Sequence, residues 1–231
     1  MEKMETQDTN LEAATELLGR REFMGMATAM AAIGVGAALP ASTAMAADGP
    51  TTDFTRWLDT IQGKHKVVLD MREHNDGMAF GWAWVYYLTA SQAYGVPQED
   101  IGVVLVMRHN AIPIALDDAA WEKYNLGELF DITDYDTGKP AVRNPFYLTM
   151  GEGFLPDMAL QKLIDRGVNV GACDMAIHHY SSVAAEKMGL RHEDVKADWN
   201  QSVLRGINHM PSGLVACQGA VSRGCTYLYA G

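Results

Sequence analysis

The sequence is poor in cysteine, with three in 231 residues, and poor in basic side chains, with 18 lysines and arginines against 29 aspartates and glutamates. It also has no run of strongly apolar residues long enough to span a bilayer, which takes roughly 20. Each shortage excludes something. A net charge of −11 repels polyanions, so neither nucleic acid nor an anionic membrane surface is an expected partner. An odd number of cysteines leaves at least one of Cys173, Cys217 and Cys225 as a thiol in a monomer. Despite 7 histidines and 14 methionines, there is no His-x-x-x-His and no Cys-x-x-Cys, so no metal site is expected. No nucleotide, haem or iron–sulfur motif is visible and no cofactor is expected. Internal repeats and low-complexity tracts are also missing.

The N-terminus has the three-part layout of a secretory signal. Arg20 and Arg21 stand in "GRREFMGM", and an uncharged stretch rich in Ala, Gly and Met runs from Met24 to Leu39. "PASTAMAAD" follows, with Ala44 and Ala46 flanking Met45 in the small-x-small pattern of a cleavage site. The paired arginines resemble a Tat-type address, which a receptor reads and which does not anchor. Residues 1–46 are therefore expected to be a signal peptide and residues 47–231 a single periplasmic domain. No stable membrane anchor is expected after cleavage; an uncleaved anchor is the alternative. In an oxidising compartment an unpaired thiol calls for an explanation.

After an acidic, Thr-rich lead at 47–60, apolar runs and helical patterns alternate. "HKVVLDM" (65–71), "DIGVVLVMRH" (100–109), "VNVGAC" (168–173), "INHMP" and "CTYLYAG" read as strands, too short for helices and β-branched or apolar throughout. Between them, helices are predicted over 76–95 with Asp76 as cap and Gly95 as stop, in "DDAAWEKYNL", and over 155–167 with Pro156 in the first turn. Three more are predicted, over 174–188, in "HEDVKADWNQSVLRG" and in "SGLVACQGAVSRG". This alternation predicts an α/β fold: a flavodoxin-like open parallel sheet of about five strands with helices on both faces. Trp82, Trp84, Tyr86 and Tyr87 on the first of these helices read as core or subunit interface.

The functional crevice of such a sheet lies beyond the carboxyl ends of its strands. Cys173 falls there, where a strand gives way to a helix. A thiol at a helix N-terminus sees a partial positive charge that favours the thiolate. His178, one turn into the same helix, is expected to approach the crevice, where an imidazolium would support a thiolate or persulfide. Arg108, His109 and Asn110 end the second strand and are expected to project into the same crevice, with Arg108 binding an anionic sulfur donor. Each has a plainer alternative: a buried apolar cysteine and a strand end turning polar at the surface. Cys217 and Cys225, eight apart, are left open as a disulfide. Asp131, Asp134 and Asp136 read as a solvated acidic loop, since they lack calcium-loop spacing. "GEG" at 151–153 is a weak anion cradle and by default a flexible turn.

"RGVNVGACDMA", followed by "PSGLVACQGAVSRGCTYLY", resembles the C-terminal half of the DsrE/DsrF-like sulfur-relay family, and "VMRHNAIPIALDDAAWEKY" resembles the middle of its exported branch. The likeness spans roughly residues 65–231. It implies a flavodoxin-like fold, trimers or hexamers, and a role in carrying sulfur as a cysteine persulfide, exchanged with a sulfane-sulfur donor or an acceptor protein. Only Cys173 maps onto the family's active cysteine. The Tat-type leader and the long acidic loop depart from the best-known members. Two functions are thus expected in competition: an exported sulfur carrier or sulfurtransferase-like protein, and a non-enzymatic binding or assembly protein with an inert Cys173.

Overall fold

The computed structural model describes residues 50–231 except Glu152; the expected signal peptide lies outside the described residues. Those residues belong to one compact unit. Five parallel strands form one sheet: β1 (His65–Met71), β2 (Ile101–Met107), β3 (Asn169–Cys173), β4 (Ile207–Met210) and β5 (Cys225–Tyr229), in the order β4-β3-β2-β1-β5. The architecture is the open α/β fold of the flavodoxin-like class, with a strand order that differs from flavodoxin's own 2-1-3-4-5. Helices cover both faces, so the central strands are apolar without alternation, and all seven residues of β2 are buried.

Handedness decides which helix covers which face. The steps from β1 to β4 each move one strand in the same direction, so right-handed crossovers place their helices on one face. These are α2 (Met78–Tyr94), α5 (Leu160–Asp165), α6 (Asp174–Met188) and α7 (His192–Gln201), packed with α3 (Asp118–Tyr124) and α4 (Leu126–Leu129) over Val67, Leu69, Met71, Val103, Leu105 and Met107. The last step runs back across the sheet from β4 to β5. Its helix, α8 (Gly213–Ser222), therefore lies on the other face, over Val68, Val104 and Val106.

Beside α8 packs α1 (Pro50–Asp59), in the segment read from sequence only as an acidic lead. Phe54, Trp57, Leu58 and Ile61 recur at helical spacing, and the last three are buried; the signal was present but masked by threonines and charge. Other boundaries moved for local reasons. Asp76 does not cap α2: it sits at φ 47°, and Gly77 at φ 77° stands at the N-cap. Gly95 ends α2 as expected, at φ 63°. Pro156 belongs to a separate 3-10 turn, Pro156–Met158, ahead of α5. That turn separates Gly151 and Gly153 from the helix, so they form no anion cradle at its N-terminus. The expected helix from His192 stops at Gln201.

Tyr87 is buried in the core, whereas Trp82 is 39% exposed. In the acidic loop, Asp131 and Asp136 are exposed, while Asp134 accepts hydrogen bonds from the backbone of Asp136 and Thr137 and from the Thr137 hydroxyl. Those bonds hold its carboxyl below the usual range.

Because Trp57 is 3% exposed, Trp57→Ala should lower the unfolding free energy by about 3 kcal/mol. Trp57→Phe, which gives up one ring but keeps an aromatic in place and removes a buried N–H with no acceptor among the described residues, should cost about half as much. Urea denaturation of both variants checks this.

Candidate functional site

The sheet has a topological switch point. The chain leaves β3 toward α6 on one face and leaves β4 toward α8 on the other, and the crevice between such strands is where ligands bind in open α/β sheets. Cys173 and Met210, the last residues of β3 and β4, are register partners across that gap. Cys173 is also the N-cap of α6: its Sγ accepts a hydrogen bond from Ala176 N at 3.4 Å. On the opposite face Ser212 caps α8, its Oγ accepting from Val215 N at 3.2 Å. Two helix N-termini, each with a partial positive charge, thus flank one strand end. Cys173 itself is 6% exposed.

All three cysteines are free and buried, so the question of a Cys217–Cys225 bridge is answered by two separate thiols. Their environments differ. Burial, then the charge of Asp70, push the Cys217 thiol up to about 12, and burial raises that of Cys225. Both are held as neutral thiols, the unreactive form.

The residue after Cys173 makes the nearest ion pair. Asp174 Oδ1 lies 2.7 Å from His209 Nδ1, tying the start of α6 to β4. The carboxylate, helped by the backbone of Asn200, raises the His209 pKa against the opposing effect of burial. Sequence reasoning missed this pair because it depends on the register of Ala172 with His209, a contact between residues far apart in the chain.

His178 does not play the part expected of it. Its ring meets that of His192 edge-on at 4.8 Å, on the side of α6 that faces α7. Burial, reinforced by the positive charges of Lys196, His192 and His179, lowers its pKa. A neutral imidazole facing α7 supplies no positive charge to a thiolate.

Arg108, His109 and Asn110 follow β2, which ends at Met107, and they split between the two faces. Arg108 turns to the α8 face and grips Asp70 in bidentate fashion, Nε to Oδ1 at 2.7 Å and Nη2 to Oδ2 at 2.9 Å. The Tyr227 hydroxyl donates to the same carboxylate at 2.7 Å. Burial would raise the Asp70 pKa, but the hydrogen bonds from Arg108 and Tyr227 outweigh it and hold the group below the usual range. Arg108 is therefore a partner of a buried acid, and the expected anion-binding role does not fit that geometry. Gly213 allows the close approach: an added Cβ would lie 2.7 Å from the Arg108 side chain.

His109, at φ 48°, and Asn110 turn to the α6 face. Asn110 Nδ2 donates to Glu73 at 2.7 Å, and Tyr180 of α6 donates to Asn110 Oδ1. The Tyr180 ring stands edge-on to His109.

A cleft of about 790 Å³ opens between α1, β4 and α7, with Asp174 and His209 in its wall. Cys173 does not line it; its neighbour Asp174 does. Among the described residues no three His, Cys, Asp or Glu side chains gather as a metal site. No protein-family model matches the sequence, and no curated protein matches it either.

Two outcomes follow from the ion pairs. Removing one partner of a buried pair leaves an uncompensated charge, so Arg108→Met should cost about 3–5 kcal/mol at neutral pH. Because the Asp70 pKa is lowered on folding, its contribution is present above the unfolded value of about 3.9 and is lost as pH falls through the folded one. The gap between wild type and Arg108→Met in urea should therefore close in acid. For His209 the sign is opposite. Its raised pKa stabilises the fold below about 6.5 and the effect fades as pH rises through the folded value. With both side chains well exposed, at 39% and 45%, Asp174→Asn should cost no more than ~1 kcal/mol in mild acid, and nothing measurable in alkali. NMR titration of His209 should shift downward in that variant.

Proposed function

We propose that this protein is a sulfur carrier of the DsrE/DsrF-like kind in which Cys173 is the sulfur-bearing residue. What supports the reading is one observation: a thiol that serves as the N-cap of a 15-residue helix at the switch point of the sheet, in a chain whose other two thiols are held neutral. Its sulfur accepts one backbone N–H, from Ala176.

In the proposed cycle the Cys173 thiolate attacks the outer sulfur of a sulfane donor. A Cys173 S–S bond forms as the donor's S–S bond breaks, and the donor's remaining sulfur leaves with the electron pair; from thiosulfate it leaves as sulfite. An acceptor thiolate then attacks the outer sulfur, and Cys173 departs as the thiolate. No net oxidant is required. Export by the Tat pathway, a periplasmic location and assembly as a trimer or hexamer belong to the same proposal, and rest on the leader and the family resemblance.

The 6% exposure of Cys173 favours a second reading, a non-enzymatic ligand-binding or assembly protein with an inert cysteine. Intact mass after brief incubation with thiosulfate or polysulfide separates the two. A carrier should gain one sulfur atom per chain, reversibly with reductant and not in Cys173→Ser. Absence of an adduct, with Cys173 unreactive to thiol reagents until the chain is denatured, would sink the carrier reading.

A further inference from the structure

One edge of the sheet is unprotected. Among the described residues only β1 pairs with β5, and four of the five β5 residues are exposed. Because Ala230 N donates to Asp70 O, alternation along the strand turns the N–H and C=O of Tyr227 and Tyr229 outward, away from β1. Edge strands of monomers are blunted by charge, proline or a bulge. β5 carries neither charge nor proline, and its register with β1 runs unbroken from Lys66↔Cys225 to Asp70↔Tyr229.

Apolar surface continues on both sides of that edge. Tyr86 of α2 lies within charge-interaction reach of Cys225, the first residue of β5, so the stripe one turn before it, Met78, Trp82 and Val85, is exposed on the β5 flank of the helix. On the opposite face Cys217 of α8 stands within the same reach of Tyr227. Leu214 and Val221, three residues before it and four after, are exposed on that flank. Neither helix contains a charged residue, and a helix with no polar face is one that is normally covered. Together with Tyr227, Leu228 and Tyr229, these side chains expose on the order of 700 Å², taking roughly 150–250 Å² for a whole aromatic one. That exceeds the roughly 300–600 Å² patch of a typical monomer and approaches the roughly 800 Å² that each partner buries in a stable complex.

We propose that β5 pairs antiparallel with β5 of a second copy about a two-fold axis at Leu228, Tyr227 of each exchanging backbone hydrogen bonds with Tyr229 of the other. Two observations favour a copy over another protein. A strand edge turned about a two-fold axis is complementary to itself. A chain of net charge −11 repels its copies except where it presents no charge, and an uncharged surface offers a cationic partner no attraction. The pairing goes beyond the carrier reading and does not rest on it, since Cys173 takes no part.

Sedimentation velocity of the full chain tests the pairing. The mass should be an even multiple of 25.3 kDa. Leu228→Lys and Leu228→Glu each set like charges opposite one another across the axis, and each should halve it. A mixture of the two should associate more tightly than either alone, which unfolding of the variants could not produce. Val142→Lys, at a more exposed apolar side chain on the segment after α4, should leave the mass unchanged. The amides of Tyr227 and Tyr229 should be protected from hydrogen exchange in the wild type and lose that protection in Leu228→Lys. A monomer or a lone trimer, a mass indifferent to Leu228→Lys, no gain on mixing, or freely exchanging amides in the wild type would each overturn the proposal.

Discussion

The right-handedness of β-helix-β crossovers governs this structure. Four strands laid down in one direction place their helices on one face, and a single return across the sheet places α8 on the other. The gap at the carboxyl ends of β3 and β4 is a by-product of that return. The position of Cys173, the two converging helix N-termini and the cleft along β4 all follow from it. Had the last strand been added beside β4, its helix would have joined the others and no gap would exist.

The same return explains the buried polar network. On the face that α8 covers, β1 carries Asp70, β5 carries Tyr227 and the residue after β2 is Arg108, with Cys217 of α8 near enough to feel both charges. A carboxylate that is 2% exposed persists because two donors are fixed around it. Its charge in turn helps to keep Cys217 a neutral thiol.

Much of the fold was legible in the sequence. The five strands, the helices between them and the parallel class follow from the period of apolar residues and from glycine stops such as Gly95. The placement of Cys173 at a strand-to-helix turn followed too. The long segment after β2 was not legible, because side chains bonded to backbone hold it together. Asn144 donates to the carbonyls of Ile114 and Leu116 and accepts from Phe146 N, and such bonds have no periodicity to read. The site was only half legible. The chain leaves β2 at Met107 and turns at His109, at φ 48°, into a 3-10 helix, so Arg108 parted from His109 and Asn110, and His178 turned toward α7. The Asp174–His209 pair depends on strand register.

One atom, the sulfur of Cys173, both closes the first turn of α6 through Ala176 N and is the atom that any substituent would occupy. Substitution at that sulfur and order in that turn are therefore linked equilibria. A group that keeps an acceptor on the sulfur preserves the turn, and a group that displaces the N–H frays it. Fraying would be felt at Asp174, the next residue, and through it at its pair with His209, which adds to the β3–β4 strand pairing. The chemical state of a single sulfur is in this way coupled to the order of the first turn of α6.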